Sequence, residues 1–184
     1  MTPLTSTLPP PASIQQLHHY AYRAKDAEET RHFYEDILGL PLFHIIQSDI
    51  VPSTGEYCPY THFFFRLKDG SFIAFFDLGD DQAALPSANT PLWVNHISFR
   101  VNTELELQDM KARLEADGIK VLGITDHRIF KSIYFFDPNG LRLELTAQLA
   151  DDVHMQKESA DVHARLAEWT ARKEVWRAER ATLT

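Results

Sequence analysis

Hydrophobic and polar residues alternate in two short segments of the chain that resemble each other. Residues 17–24 and residues 94–101 align so that His19 corresponds to His96, 77 positions later, with an aromatic residue and an arginine following in register. Alternation with a period of two is the pattern of a half-buried β-strand. The chain is therefore interpreted as two copies of one structural unit, each of which opens with a strand.

A helix is predicted after each of these strands. Asp26 and Thr103 each precede a glutamate by three residues, which is the spacing of a capping box. Apolar residues then recur at helical intervals until Gly39 in the first copy and Gly118 in the second. Glycine at this position is typical of a left-handed helix cap, so both predicted helices end there.

Three further strands complete each copy. The predicted strands cover residues 41–48, 61–67 and 71–77 in the first copy, and residues 120–124, 132–136 and 141–146 in the second. The dipeptides Asp69-Gly70 and Asn139-Gly140 separate the last two strands of each copy and favour hairpin turns. We therefore predict an α+β fold in which two β-α-β-β-β modules, residues 17–79 and 92–147, form a half-closed sheet cup.

The chain outside the repeat has a different pattern. Residues 1–16 contain three consecutive prolines and no apolar run, so they resemble neither a signal peptide nor a membrane-spanning helix and predict a disordered arm. Residues 148–184 form a predicted helical extension with one long helix over about 152–181. Trp169 and Trp176 would be costly to expose, so we expect this helix to cover the core domain or a second copy and predict a homo-oligomer.

Composition limits the classes of function. The chain has 184 residues, of which 44% are hydrophobic and 24% charged, as in an ordinary globular domain. A net charge of −8 excludes a basic surface that would bind nucleic acid or an anionic membrane. Cys58 is the only cysteine, so the chain forms no internal disulfide, and we expect a cytoplasmic protein.

Two histidines and one carboxylate are candidate metal ligands. His19 and His96 occupy equivalent positions, so a pseudo-two-fold axis would bring them face to face. Glu144 stands between Leu143 and Leu145 on the last strand, and a buried carboxylate requires a partner or a metal ion. This ligand set leaves open positions on an octahedral metal and suits non-heme Fe(II), although Mn, Ni or Zn would also bind.

These residues also have a structural interpretation. His19 and His96 would then be core histidines with hydrogen-bonded rings, and Glu144 would pair with an arginine. Alignment of the two hairpin turns places Ala74 at the position equivalent to Glu144, so the first copy offers no second carboxylate.

The repeat and its candidate ligands resemble the vicinal-oxygen-chelate superfamily over about residues 17–147. That superfamily includes glyoxalases, resistance proteins and extradiol dioxygenases, and its members pair β-α-β-β-β modules around a metal. One stretch is similar to the ring-cleavage motif of type I extradiol dioxygenases. Its fixed positions are Thr125-Asp126-His127, Ile133-Tyr134, Asp137-Pro138-Asn139-Gly140 and Glu144. The resemblance implies that Glu144 binds iron and that His127 and Tyr134 lie beside the substrate.

The sequence departs from this family at one position. Extradiol enzymes usually carry an acid-base histidine at the start of the fourth strand, where this chain has Gly70-Ser71-Phe72. The nearest replacement is His62 on the preceding strand. His62 aligns with Ser132, so its side chain is expected on the sheet face that corresponds to that of Tyr134. Alternatively, the His62 ring bonds a backbone group near the turn.

The resemblance implies extradiol cleavage of a catechol-type aromatic diol with O2 and Fe(II), in the manner of the one-domain enzymes. The expected metal ligands are His19, His96 and Glu144, and the expected catalytic residues are Tyr134, His127 and His62. An aromatic face carrying Phe64, Phe72 and Phe76 suits such a substrate. The alternatives are a glyoxalase-like lyase or isomerase, against which Ala74 at the fourth ligand position counts, and a non-catalytic small-molecule-binding module.

Overall fold

A computed structural model describes residues 16–181, so the predicted N-terminal arm lies outside the described residues except for its last position. The strands of the described chain are β1 (His19–Arg23), β2 (Leu42–Ile50), β3 (Tyr57–Arg66), β4 (Phe72–Asp77), β5 (Ile97–Val101), β6 (Leu122–Asp126), β7 (Phe130–Phe136) and β8 (Arg142–Gln148). They form two four-stranded mixed sheets in the orders β1-β4-β3-β2 and β5-β8-β7-β6. The predicted α+β fold of two β-α-β-β-β modules is confirmed.

Two compact units contain these sheets. The first unit extends to Val94 and includes the segment Phe136–Leu141, whereas the second contains Asn95–Phe135 and the chain from Arg142 onward. The turn between β7 and β8, together with Phe136 at the end of β7, therefore belongs to the first unit, whereas the rest of both strands belongs to the second. Among the described residues, no helix is both long and apolar enough to cross a membrane.

The helix that follows β1 begins as predicted but changes from an α-helix to a π-helix. In α1 (Ala27–Arg31), the Asp26 side chain caps the first turn, and the chain continues directly as a π-helical segment, His32–Ile37. The uniform α-helix predicted from the sequence is therefore wrong. A π-helical turn brings residues five apart to one face, and the Arg31 guanidinium donates to Asp36, five residues later, over 3.1 Å.

The helix of the second module follows the prediction closely. In α2 (Glu104–Ala116), the Thr103 hydroxyl accepts a hydrogen bond from the Glu106 N–H over 3.1 Å, as the capping box predicts. Gly118 has a φ of +77° and closes the helix in the left-handed region.

The C-terminal extension contains two helices instead of the single helix predicted. They are α3 (Asp152–Ser159) and α4 (Val162–Ala181). The Ala160 N–H bonds the Lys157 carbonyl three residues back, and the Asp161 carbonyl starts the next helix by accepting from the Arg165 N–H. Asp161 favours the start of a helix over its interior, which explains the break.

The apolar side chains of α4 are not buried against the domain core. Leu166 is 61% exposed and Trp169 is 42% exposed, whereas the Trp176 side chain lies outside the described part of the chain. The expectation that this helix covers the core is not met at Leu166 and Trp169. The homo-oligomer stays a prediction.

Aromatic side chains form the core of the first unit. The Tyr34 ring stacks on Phe65 with a centroid distance of 5.2 Å and lies 4.8 Å from Phe75. All three side chains are fully buried, and Ile73 and Phe63 on the same sheet face are nearly so. The burial of this face fixes which residues of β3 and β4 point the other way, because successive side chains of a strand alternate.

A buried carboxylate holds the turn that follows β7. Asp137 accepts hydrogen bonds from the Tyr34 hydroxyl over 3.0 Å, from the Asn139 N–H over 2.9 Å and from the Leu141 N–H over 2.7 Å. Burial raises the pKa of Asp137 despite these donors. The Tyr34 hydroxyl stays protonated because burial, together with the nearby Asp137 carboxylate, raises its pKa well above the ordinary value.

Removal of the Tyr34 hydroxyl should destabilise the protein. Tyr34→Phe keeps the stacked ring but leaves the buried Asp137 carboxylate with one donor fewer, which should lower the free energy of unfolding by about 1–3 kcal/mol. Urea denaturation measures the change. Tyr20→Phe, at a side chain that is 40% exposed, is the matched control and should change stability by less than about 0.5 kcal/mol. Equal effects of the two substitutions would contradict the assigned hydrogen bond.

Candidate functional site

The second sheet has one apolar face and one polar face. Leu143 and Leu145 of β8 are buried on the side where α2 packs, and Leu107 and Leu114 of that helix are fully buried. Because side chains alternate along a strand, Glu144 must point to the opposite face.

Hydroxyl groups surround Glu144 on this polar face. Ser98 is its register partner on β5, and the Thr146 hydroxyl bonds the Ser98 hydroxyl over 2.9 Å and the Ser132 hydroxyl over 3.0 Å. Small polar side chains on three neighbouring strands therefore leave room and hydrogen-bonding capacity around one carboxylate.

The Glu144 carboxylate is nearly inaccessible and only half satisfied. It is 5% exposed, and its Oε2 atom lies 3.1 Å from His96 Nε2. Its buried Oε1 atom has no hydrogen-bond partner among the described residues. Burial alone would raise the pKa of Glu144, but the nearby hydroxyls of Ser132 and Tyr134 outweigh it, and the pKa lies below its ordinary value.

These atoms fit part of a metal centre. The imidazole nitrogen of His96 and the ionised carboxylate of Glu144 converge, and the unpartnered Oε1 is the kind of buried acceptor that a cation would satisfy. The third predicted ligand, His19, lies in the first unit. In the part of the chain that the structure describes, no three histidine, cysteine, aspartate or glutamate side chains group closely enough to hold a metal ion.

His127 and Tyr134 form a hydrogen-bonded pair beside Glu144. His127 Nε2 and the Tyr134 hydroxyl are 2.8 Å apart, with the histidine exposed and the tyrosine half-buried. The Tyr134 ring also lies edge-on to the His96 ring, with 6.2 Å between their centroids. Burial and the Glu144 carboxylate raise the pKa of Tyr134, which keeps its hydroxyl protonated. Four of the predicted site residues therefore meet within the second unit.

His19 and His62 are neighbours on the first sheet. Their ring centroids are 6.1 Å apart, and the Nδ1 atom of the exposed His19 lies 2.8 Å from Nδ1 of His18. The His62 ring is stacked on Phe76 at 3.7 Å and lies against Phe64 at 4.2 Å.

The environment of His62 disfavours its charged form. Burial, and then the positive charges of His19 and His44, lower the pKa of His62 to about 4. Its buried Nε2 atom has no hydrogen-bond partner among the described residues, so this nitrogen does not bond a backbone group near the turn. The acid-base role of His62 stays a prediction, and this low pKa disfavours it.

The strand registers confirm the alignment of the two copies. Ala21 pairs with Ala74 on the first sheet as Ser98 pairs with Glu144 on the second. The position equivalent to Glu144 is thus an alanine, as predicted, and the surrounding face of the first sheet is aromatic where that of the second is polar.

Sequence reasoning missed one charged residue of this site. The Cζ atom of Arg142 lies 4.4 Å from the centroid of the Tyr134 ring. Arg142 precedes Glu144 by two residues in β8, so the period-two pattern already placed it on the same face. The pattern alone gave no sign that its guanidinium would lie over an aromatic ring on the neighbouring strand.

Comparison with a protein-family model covers most of the chain. Residues 16–145 match the family described as the Glyoxalase/Bleomycin resistance protein/Dioxygenase superfamily. Metallothiol transferase FosB of Staphylococcus saprophyticus is 28% identical over 159 residues, which cover 85% of this chain and 92% of that protein. The putative ring-cleaving dioxygenase MhqA of Bacillus subtilis is 38% identical over 53 residues, which cover 29% of this chain and 17% of MhqA.

A solved structure supports the fold. A variant of the fosfomycin resistance protein FosX from Listeria monocytogenes, in complex with Mn(II) and 1S,2S-dihydroxypropylphosphonic acid, superimposes with a TM-score of 0.55 at 23% identity. The match covers 74% of this chain and 95% of that protein.

Proposed function

Because this chain belongs to the glyoxalase/bleomycin resistance protein/dioxygenase superfamily, we propose that it is a metal-dependent enzyme that opens a catechol-type ring with O2 by extradiol cleavage. The observation that carries the proposal is the 2.8 Å hydrogen bond between His127 and Tyr134 on the sheet face of Glu144. These three residues hold the spacing of the ring-cleavage motif, and a local match to a putative ring-cleaving dioxygenase gives further support.

The proposed metal ligands are His19, His96 and Glu144, with Fe(II) as the metal. Fe(II) held by these residues would supply Lewis-acid and redox chemistry toward the diol and O2. Support comes from the convergence of His96 Nε2 on Glu144 and from the unpartnered Oε1 atom of that carboxylate. Mn, Ni or Zn would fit the same ligand types.

The chain's own residues would move the substrate proton. The Tyr134 hydroxyl accepts a proton from a bound diol hydroxyl while it passes its own proton to His127 Nε2. His127 is exposed, so it can exchange that proton with water. With a pKa of about 4, His62 is neutral at pH 7 and is the weaker candidate for this transfer.

A second candidate function is thiol transfer to a small molecule. It is favoured by the similarity to metallothiol transferase FosB, which extends over 85% of this chain, whereas the similarity to MhqA covers 29%. A glyoxalase-like lyase or isomerase would use the same metal ligands, and a non-catalytic binding module would need no proton-transfer pair.

Oxygen consumption distinguishes these functions. The protein, purified without oxygen and loaded with Fe(II), should consume one O2 for each catechol and form a ring-opened product that absorbs visible light. A parallel assay follows the loss of a low-molecular-weight thiol in the presence of fosfomycin and Mn(II). Thiol consumption without O2 uptake on any member of a catechol panel would select transferase chemistry and overturn the proposal.

Alanine at any proposed ligand should abolish metal binding. His19→Ala, His96→Ala and Glu144→Ala should each lose stoichiometric Fe(II) and keep the circular dichroism of the wild type, because the strands bury their own apolar faces. Metal analysis after gel filtration measures the loss. The control is His163→Ala, which changes an exposed residue of α4 and should retain the full metal content. A variant with wild-type metal content would remove that residue from the ligand set.

Tyr134→Phe should slow turnover without loss of metal. A positioned proton-transfer group contributes roughly ten- to a thousandfold, and the substitution removes the hydroxyl while keeping the ring. Tyr57→Phe, at a side chain that is 72% exposed, is the matched control. His127→Phe should reduce the rate more than His62→Phe. A larger loss in His62→Phe would assign the acid-base role to His62.

A further inference from the structure

The turn between β6 and β7 contains a strained residue. Arg128 has a φ of +72°, in the left-handed region that residues with a side chain rarely adopt. Across Arg128, the Ile129 N–H bonds the His127 carbonyl over 2.9 Å. A hydrogen bond between residues two apart, with a positive φ at the middle residue, defines the form of γ-turn that is rare and strained. Such a turn persists only where neighbouring groups hold it.

Two sets of hydrogen bonds hold this turn in place. The Asp126 Oδ1 atom accepts a hydrogen bond from the Arg128 N–H over 2.6 Å. The Ile129 carbonyl accepts from the N–H groups of Leu149, over 2.9 Å, and Ala150, over 3.0 Å, both of which follow β8. Because the Asp126 carboxylate bonds the N–H of the strained residue itself, it is the side chain that stabilises the turn most directly.

The turn also carries His127 of the proposed proton-transfer pair. The His127 N–H bonds the Phe130 carbonyl over 2.9 Å, and the two rings lie 4.7 Å apart between their centroids. The Nε2 atom of the same ring lies 2.8 Å from the Tyr134 hydroxyl. His127 is exposed, so burial does not fix its side chain, and the backbone that carries the ring has to direct it.

We infer that Asp126 is a positioning residue, which stabilises the strained turn and so holds His127 within hydrogen-bonding distance of Tyr134. The inference rests on the proposed function only in assigning this pair to proton transfer. A displacement of a reacting group by about 1 Å slows a reaction by up to roughly a hundredfold. A rigid turn beneath an exposed histidine therefore has a direct effect on the rate.

NMR measures the contact between His127 and Tyr134 separately from catalysis. In the full-length protein as purified, the wild type should show nuclear Overhauser effects between the two rings, whose centroids are 6.3 Å apart. Asp126→Ala removes the acceptor and should weaken these effects by about twofold or more, because one hydrogen bond shifts such an equilibrium several-fold. Asp126→Asn keeps an Oδ1 acceptor and should retain them. Circular dichroism checks that both variants keep the wild-type fold.

Substitution of Arg128 separates the backbone conformation from the charge. Arg128→Gly removes the guanidinium but adopts the same φ without strain, so it should keep the ring contact. Arg128→Val keeps the N–H, but a β-branched side chain strongly disfavours a positive φ. This variant should weaken the contact as Asp126→Ala does, and it tests the turn without a change at Asp126.

Turnover of a catechol should follow the ring contact. Asp126→Ala should lower kcat about tenfold or more and change KM less than about twofold, because a displaced His127 affects proton transfer more than substrate binding. Asp126→Asn should restore most of the rate. The matched control is Asp109→Ala, which removes an exposed carboxylate from α2 and should leave both the ring contact and kcat unchanged.

Several outcomes would overturn the inference. They are a wild-type ring contact in Asp126→Ala and Arg128→Val, loss of the contact in Arg128→Gly, equal losses in Asp126→Asn and Asp126→Ala, or no contact in the wild type. Failure of the proposed function gives a different result. A contact that depends on Asp126 in a protein that consumes no O2 would reject ring cleavage and keep the positioning role. O2 consumption with a contact that does not depend on Asp126 would do the reverse.

Discussion

Burial of Leu143 and Leu145 is the interaction on which the candidate site depends. These two side chains are almost completely removed from water on the face of β8 that α2 covers, and each fully buried leucine contributes about 1.5–3 kcal/mol. A one-residue slip of β8 would expose both leucines and turn Glu144 into the apolar core. The hydrophobic effect therefore sets the direction of a carboxylate that it does not itself stabilise.

The two modules show how one backbone pattern supports different chemistry. Ala74 and Glu144 occupy the same register position in their sheets. The neighbours of Ala74 are the aromatic residues Phe64 and Phe76, whereas the neighbours of Glu144 carry hydroxyl groups. A buried carboxylate needs such donors because burial alone would favour its neutral form. The second copy has a glutamate where the first has an alanine, and the buried carboxylate of that glutamate requires the polar residues around it.

Family membership establishes the fold of this chain, whereas the side chains of the candidate site determine which reaction it can support. The similarity to a metallothiol transferase extends over most of the chain, and the similarity to a putative ring-cleaving dioxygenase is local. Long alignments report the shared fold, and one fold supports many reactions. The proposal of ring cleavage therefore depends on a few side chains on the polar face of the second sheet, above all His127 and Tyr134.

The sequence by itself determined those features that depend on neighbouring residues in the chain. Period-two alternation predicted the strands, the capping boxes at Asp26 and Thr103 predicted the helix starts, and the repeat predicted that Ala74 and Glu144 are equivalent. The π-helical turn at Asp36, the low pKa of His62 and the guanidinium of Arg142 over Tyr134 were decided only by the tertiary structure. Desolvation and ring stacking depend on side chains brought from other strands, whereas periodicity and capping act within one or two turns of the same segment.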